Sequence, residues 1–175
     1  MDKGKGLVHF CHGKESGPWG LKIRHLAKVA QSFNYAVESL DYSGIDNPDE
    51  RVAKLIAAQP QVENLILVGS SMGGYVATAA SQWLLPAGLF LMAPAVSLPG
   101  YENPPLRPHA NLTVIVHGWH DELIPPDNSF SFARQHRSRL HLLDSDHRLN
   151  EQIGQVESLF KIFLEEIDLL TPAFF

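Results

Sequence analysis

The feature that most constrains the fold is an apolar run that stops abruptly at two serines flanked by glycines. The segment reads Leu65-Ile-Leu-Val-Gly-Ser-Ser-Met-Gly-Gly-Tyr75, and an apolar series at helical spacing follows it as far as Leu84. A short apolar run, a glycine-rich turn and a helical pattern predict a strand, a sharp turn and a buried helix, in that order. The window from Gly69 to Gly73 fits the pattern G-x-S-x-G, in which glycines let the strand and helix backbones approach closely.

The central serine of such a turn projects its hydroxyl above the sheet. Ser71 has glycine two residues before it and two residues after it, so we predict that Ser71, rather than Ser70, occupies that position. Free N–H groups and the helix dipole at this point favour developing negative charge. The alternative for the pattern alone is a glycine-rich βα turn in an unrelated α/β domain.

Short apolar runs alternate with helical patterns along the rest of the chain. Further strands are predicted at Leu7–Cys11, Ala36–Leu40, Gly88–Met92, Leu112–Val116 and Leu140–Leu143, and helices at Ile23–Phe33, from Pro48 after an Asn47 cap, and at Ile153–Leu170. Nearly continuous apolar strands are typical of parallel sheets covered on both faces. The sequence therefore predicts one domain over residues 1–175, a doubly wound α/β fold with a mainly parallel sheet of about six strands flanked by helices. The proline-rich stretch from Ala93 to Ala110 predicts an extended loop in place of a helix.

Composition excludes several classes of function. The net charge of −5 is scattered without a basic face, which argues against a nucleic-acid partner. No apolar run reaches the ~20 residues that span a bilayer, and no signal-peptide core is evident, so we expect a soluble, cytoplasmic protein without a membrane partner. Cys11, the only cysteine, is expected to be a small core residue rather than a reactive thiol. We expect a monomer or weak homodimer, with the apolar tail from Leu169 to Phe175 packed on the domain rather than on a second subunit.

Four loops should meet at the carboxyl edge of this sheet, since ligands bind there in open α/β folds. These loops are residues 12–20, 70–74, 117–126 and 144–150. They bring Ser71, then Asp121 and Glu122, then His147 to one place. A serine hydroxyl needs an imidazole to accept its proton, and the imidazole needs a carboxylate to hold its tautomer.

The same edge should hold the rest of a catalytic site. We predict an oxyanion hole formed by the backbone N–H groups of Met72 and Lys14, with Glu15 as the alternative to Lys14. Large side chains on loops or at strand ends along the same edge are candidates for lining the substrate pocket, each with packing as its alternative role: His12, Lys14, Trp19, Tyr42, Met92, Pro94 and Trp119. Trp83, on the helix after the turn, is predicted to be a core residue.

Four segments resemble the successive signatures of the α/β-hydrolase superfamily: His12-Gly13, Gly69–Gly73, His117-Gly-Trp-His-Asp-Glu-Leu-Ile-Pro125 and Asp146-His147. The third is similar to the acid loop of that family, G-x-x-D-x-x-(V/I)-P, which places the acid at Asp121. The resemblance implies that Ser71 is the nucleophile, Asp121 the acid and His147 the base. The chain starts directly at the strand before the oxyanion loop and has no room for a lid between residues 93 and 111, so it resembles the small, lidless bacterial serine esterases.

Other residues in the same loops offer rival assignments. His120 competes with His147 as base, and Asp144 and Asp146 compete with Asp121 as acid, although both aspartates are better suited to shaping the histidine loop. His117 and His120 with Asp121 form a conceivable ligand cluster, but no H-E-x-x-H or H-x-H-x-D-H run is present, and we expect neither a metal nor a cofactor.

The resulting hypothesis is a serine hydrolase that acts on a small-molecule carboxylic ester or thioester. The alternatives are a non-catalytic protein that binds a small ligand or partner on the same scaffold, and a related acyl-transfer, lactonase or peptidase activity.

Overall fold

A computed structural model of the chain describes residues 4–58, 62–101 and 105–171. Its strands are β1 (Leu7–Cys11), β2 (Ala36–Ser39), β3 (Leu65–Ser70), β4 (Gly88–Met92), β5 (Leu112–Gly118) and β6 (Arg139–Leu143). Its helices are α1 (Leu21–Ser32), α2 (Pro48–Ala58), α3 (Met72–Leu84), α4 (Pro126–His136) and α5 (Ile153–Leu170), with a short 3₁₀ turn at Asn150–Gln152 before α5.

All six strands lie in one parallel sheet with the order β2-β1-β3-β4-β5-β6. The strand order reverses between β1 and β3, where the chain changes from one side of the sheet to the other. The β3 strand is therefore central, and the loop that follows it lies at the point where α/β sheets bind ligands. The predicted doubly wound parallel fold is confirmed, and residues 93–101 and 105–111 contain no helix and no separate lid.

Each face of the sheet carries its own apolar core. Residues of β1 alternate between the two, with Val8 and Phe10 in one cluster and Leu7 and Cys11 in the other, as the two-residue period of a strand requires. Helices α1 and α5 cover the first face, and α2, α3 and α4 cover the second. The Cys11 thiol is buried 3.8 Å from the hydroxyl of Tyr42, and burial raises the pKa of Cys11 to about 12.

Local sequence explains the start of α2. The Asn47 side chain accepts a hydrogen bond from the Asp49 N–H at 2.8 Å and caps α2, as predicted. Helix α4 was not predicted because it buries only Ser129, Phe132 and Ala133 and so shows little apolar periodicity.

The outer surface corrects one expectation. The prediction that Trp83 is a core residue is wrong, because the side chain lies on the outer face of α3 and is 67% exposed. Within the described ranges, no helix has the length and apolar content needed to cross a membrane. Leu169 and Leu170 are exposed, and the rest of the predicted apolar tail, residues 172–175, lies outside the described residues.

Candidate active site

The turn between β3 and α3 holds Ser71 in a backbone conformation that L-residues rarely adopt. Its φ is 55° and its ψ is −121°, a combination that costs on the order of 1–3 kcal/mol and persists only where surrounding contacts fix it. The Ser71 N–H donates to the carbonyl of Met92 at 3.0 Å, and the Ser71 carbonyl accepts from Gly74 and Ala95, each at 2.9 Å. These hydrogen bonds fix the Ser71 backbone so that its hydroxyl lies at the carboxyl edge of the sheet.

Close backbone packing requires glycine at positions 69 and 73, on either side of the serine. A Cβ atom on Gly73 would lie 1.9 Å from the carbonyl oxygen of Cys11 in β1, and one on Gly69 would lie 2.3 Å from the carbonyl oxygen of Gly73. Neither contact is possible for a real side chain. The G-x-S-x-G spacing in the sequence thus reflects the close approach of α3 to β1 and β3.

A chain of hydrogen bonds joins Ser71 to an imidazole and a carboxylate. His147 Nε2 is 3.1 Å from Ser71 Oγ, and His147 Nδ1 is 2.6 Å from Asp121 Oδ2. The other carboxylate oxygen, Oδ1, accepts from the backbone N–H groups of Leu123 and Ile124, each at 2.9 Å. Because the carboxylate accepts, His147 donates from Nδ1, and its Nε2 lone pair faces the serine hydroxyl.

Asp121 also accepts a hydrogen bond from a second imidazole, that of His117, whose sequence position indicated only a conceivable metal ligand. His117, fully buried on β5, has Nε2 2.9 Å from both Asp121 Oδ2 and the carbonyl of Ile124, and Nδ1 2.7 Å from Ser129 Oγ. The carboxylate and the carbonyl only accept, so in the neutral ring Nε2 carries the proton and Nδ1 accepts from the Ser129 hydroxyl. The only signal in the sequence was a histidine four residues before Asp121, at the end of a buried strand.

These donors control the charge of Asp121. Burial by itself raises the pKa of Asp121, but hydrogen bonds from His117, His147 and the Ile124 N–H outweigh it and hold that pKa well below its usual range. The carboxylate is therefore ionised at neutral pH and able to stabilise a charged imidazole at His147.

Hydrogen bonds within the loop and from α1 fix the loop that carries His147. Asp146 Oδ1 accepts from the Arg148 N–H at 2.9 Å, and Lys22 Nζ on α1 donates to the Arg148 carbonyl at 2.8 Å. The rival base His120 instead contacts Asp144, with 2.7 Å between Nε2 and Oδ1. A Cβ on Gly118 would lie 2.3 Å from the Ser145 carbonyl oxygen, so the acid and base loops pack directly against each other.

Backbone donors lie beside the serine. Met72 is the first residue of α3, and the loop that holds Gly13 and Lys14 approaches so closely that a Cβ on Gly13 would be 3.5 Å from Ser71 Cβ. The N–H groups of Met72, Lys14 and Glu15 form no hydrogen bond with any other described residue. All three residues line the cleft, so the geometry is compatible with Met72 and either loop residue as oxyanion donors.

The cleft above Ser71 and His147 has a volume of about 520 Å³ and two unlike walls. One wall comes from the loop after β1 and the start of α1, and it includes Lys14, Glu15, Ser16, Leu21, Lys22 and Ile23. The other wall comes from the loops after β4 and β5, and it includes Ala95, Leu98, Tyr101, Leu123 and Ile124. A more open depression of about 780 Å³ between β6 and α5 contains none of Ser71, His147 and Asp121.

Of the predicted pocket side chains, Lys14 lines the cleft, whereas His12, Trp19, Tyr42, Met92, Pro94 and Trp119 are not among the lining residues, which corrects the expectation for those six. His12, Tyr42 and Met92 are buried beneath the site. The His12 ring points inward, where it forms hydrogen bonds with the Gly13 carbonyl and the Tyr42 N–H. Trp19 and Trp119 lie on the outer surface, 44% and 56% exposed. The position of a strand end was thus a poor guide to which way its side chain points. In residues 4–58, 62–101 and 105–171, no three His, Cys, Asp or Glu side chains are grouped to hold a metal ion.

Solved structures share this architecture. A protein from Xanthomonas campestris pv. campestris assigned to the alpha/beta hydrolase superfamily is 30% identical, with 95% of this chain and 99% of that chain covered and a TM-score of 0.79. A serine hydrolase without a lid from Xanthomonas campestris is 20% identical, with 98% and 84% covered and a TM-score of 0.74. Est1E from Butyrivibrio proteoclasticus is 18% identical, with 94% and 89% covered and a TM-score of 0.79. The last two likenesses show the fold alone.

No curated protein matches the chain with significant sequence similarity. The model of the alpha/beta hydrolase family, in contrast, matches residues 10–155, a span that includes Ser71, Asp121 and His147. Together with the elbow geometry and the lidless parallel sheet, this match identifies the chain as a member of the alpha/beta hydrolase family.

Proposed function

We propose that the protein is a serine hydrolase that cleaves carboxylic esters or thioesters through an acyl-enzyme intermediate. The observation that carries the proposal is the chain of hydrogen bonds from Ser71 Oγ through His147 to Asp121, at 3.1 and 2.6 Å, beside a cleft large enough for a small molecule. The three groups come from loops far apart in sequence, and they meet with the donor and acceptor roles that proton transfer needs.

In the first half of the reaction, Ser71 Oγ attacks the acyl carbon while His147 Nε2 takes the hydroxyl proton. The carbonyl oxygen becomes an oxyanion, which accepts hydrogen bonds from the N–H groups of Met72 and Lys14. The bond from the acyl carbon to the leaving oxygen or sulfur then breaks, and His147 returns the proton to that leaving group. Asp121 stays ionised throughout and holds the imidazole in the required tautomer.

In the second half, a water molecule takes the place of the leaving group. His147 Nε2 accepts a proton from the water, whose oxygen attacks the acyl carbon of the ester on Ser71. The bond to Ser71 Oγ breaks, His147 returns the proton to that oxygen, and the carboxylic acid leaves. No cofactor is needed to balance either step.

The walls of the cleft support an apolar acyl group. Leu98, Tyr101 and Leu123 offer apolar surface near the serine, and burying such surface contributes about 25 cal/mol per Å². With no lid in the described residues between β4 and β5, the cleft stays open, which favours short acyl chains or extended ones that leave the protein at one end.

A fluorophosphonate probe tests the proposal, because it reacts covalently with an activated serine. We expect wild-type protein to be labelled and Ser71→Ala not to be. Ser70→Ala is the matched control, since it removes the neighbouring hydroxyl and should still be labelled. Labelling of Ser71→Ala at the wild-type rate would contradict the assignment.

p-Nitrophenyl esters of increasing chain length separate a hydrolase from a binding protein on the same scaffold. Turnover of at least the short esters is expected, and the dependence on chain length measures the reach of the apolar wall. Failure of every ester together with failure of the probe would favour the non-catalytic alternative.

A further inference from the structure

Arg51 on α2 is a buried cation whose hydrogen-bond partners are all uncharged. The residue is 1% exposed, its Nε donates to the Ile45 carbonyl at 2.7 Å, and its guanidinium carbon lies 5.5 Å from the centre of the Tyr42 ring. Its Nη1 donates to the carbonyls of His12 and Gly13, at 3.2 and 3.3 Å. Within the described part of the chain, no carboxylate lies at ion-pair distance from the guanidinium.

Placing a cation in the interior without a carboxylate is costly, because the charge loses its hydration and only good hydrogen bonds can offset that loss. The cost is visible here, because burial lowers the pKa of Arg51. Two of the three carbonyls that receive the guanidinium belong to the loop beside the candidate nucleophile. Arg51 is therefore poorly placed for simple packing and well placed to act on that loop.

His12 holds the same carbonyl from a second direction. Its Nε2 is 2.9 Å from the N–H of Tyr42, which can only donate, so Nε2 accepts and the neutral ring carries its proton on Nδ1. Nδ1 in turn donates to the Gly13 carbonyl at 2.7 Å. Burial lowers the pKa of His12, which favours this neutral form. The Gly13 carbonyl thus has two donors, both on its interior side.

Planarity of the peptide bond transmits this anchoring to the cleft. In a trans peptide the C=O of one residue and the N–H of the next point in opposite directions. With the Gly13 carbonyl held toward Arg51 and His12, the Lys14 N–H points away from the interior, on the side where Gly13 and Lys14 line the cleft. The Glu15 N–H belongs to the following peptide, which neither anchor touches.

We infer that Arg51 is a positioning residue that locks the Gly13–Lys14 peptide with its N–H directed at the oxyanion. The inference rests on the proposed hydrolase function and selects Lys14 over Glu15 as the second donor. The cation also polarises the peptide through its carbonyl, which strengthens the N–H as a donor in a low-dielectric site. Without the lock, rotation of this peptide would turn a carbonyl oxygen toward the developing negative charge.

The experiment compares Arg51→Met and Arg51→Lys with Lys54→Met. Lys54 is the matched control because it lies one turn further along α2, also contacts the Tyr42 ring at 6.0 Å, and donates to the Asp41 carbonyl rather than to the loop. The readouts are kcat per titrated active site, KM, and the affinity for an aryl trifluoromethyl ketone, which adds to the serine and forms an oxyanion.

For Arg51→Met we expect kcat to fall about 10- to 100-fold, a part of the ~10²- to 10³-fold loss that removal of a whole oxyanion donor causes. KM should change little, and affinity for the ketone should fall by the same factor as kcat. Arg51→Lys, which keeps the charge on a shorter reach, should be intermediate, and Lys54→Met should match wild type.

A folded Arg51→Met protein with wild-type kcat and wild-type ketone affinity would overturn the inference while leaving the hydrolase function standing. If Arg51→Met does not fold by circular dichroism, Arg51→Lys decides: an unchanged ratio of ketone affinity to substrate affinity overturns the inference, and a reduced ratio supports it. A wild-type protein that neither turns over esters nor reacts with the fluorophosphonate would instead overturn the proposed function itself.

Discussion

Replacing Asp121 by asparagine should cause two kinds of damage, because one carboxylate oxygen serves two imidazoles and the other serves two backbone N–H groups. The N–H groups of Leu123 and Ile124 can only donate, so the amide oxygen must face them. The NH₂ group of the asparagine then faces His147 and His117. Each ring must accept at the nitrogen from which it now donates.

For His147 this change moves the ring proton to Nε2, the nitrogen that lies 3.1 Å from Ser71 Oγ. The ring can then no longer take the serine proton. The corresponding substitution in another Ser-His-Asp hydrolase lowers kcat by about 10⁴, and we expect a loss of the same order in this protein.

For His117 the change turns an Nε2 lone pair toward the Ile124 carbonyl, 2.9 Å away. The buried carbonyl oxygen loses its donor, at a cost of about 1–3 kcal/mol. In a domain of 175 residues this corresponds to a fall in Tm of about 3 to 10 °C. The second imidazole thus predicts that a substitution aimed at catalysis also lowers stability.

The assay pairs hydrolysis of p-nitrophenyl acetate, normalised to folded protein, with scanning calorimetry. Ser71→Ala is the control, since it abolishes turnover but leaves every hydrogen bond to Asp121 in place, and its Tm should equal that of wild type. A loss of kcat of about 10⁴ is expected, so an Asp121→Asn protein that keeps more than about a tenth of wild-type kcat would refute this prediction. A Tm equal to that of wild type would refute it as well.

Three further substitutions test the packing and the charge of the interior. Gly73→Ala should prevent folding or destabilise the protein by about 3 kcal/mol or more, because its Cβ would meet the Cys11 carbonyl oxygen at 1.9 Å. Soluble yield and chemical denaturation measure this effect, and a wild-type denaturation midpoint would contradict it. Gly154→Ala, where nothing lies within 4 Å, should instead stabilise α5 by up to about 1 kcal/mol, and a loss of stability would contradict that expectation. His9 is buried, and neither ring nitrogen has a hydrogen-bond partner among the described residues. Burial lowers the pKa of His9 from 6.5 to about 4. Because the unfolded chain binds the proton more readily, the free energy of unfolding should fall by up to about 3 kcal/mol as pH drops from 6.5 toward 4. His9→Phe should flatten that part of the curve of unfolding free energy against pH, and an unchanged slope would show that other groups cause it.

The fold and the main reactive groups could be predicted because local patterns determine them. Ser71 stands out through the glycines that the close approach of α3 requires, and the parallel sheet through short apolar runs between helices. Chain order and loop position brought Asp121 and His147 to the site, and the resemblance to the α/β-hydrolase superfamily implied their roles as acid and base. Their hydrogen bonds in the structure support those roles.

The features that could not be predicted depend on tertiary contacts that no local pattern encodes. Arg51 lies on a helix of mixed character, where a charged residue normally faces water, and only the fold reveals that it points at the loop after β1. His117 belongs to a buried strand, so its bond to Asp121 depends on how the following turn folds back. Apart from Lys14, the predicted pocket residues were wrong for a related reason. The walls of the cleft come largely from the start of α1 and the loop after β4, while strand-end side chains such as Met92 point into the core.

The burial of Cys11 has a practical consequence for measuring motion in this molecule. It is the chain's single thiol, and with a pKa of about 12 only on the order of one molecule in 10⁴ carries a thiolate at pH 8 in the closed state. We therefore expect an alkylating reagent to modify the protein mainly when an opening motion exposes Cys11. The labelling rate of the unmodified chain consequently reports the free energy of that opening, without any introduced dye or engineered cysteine.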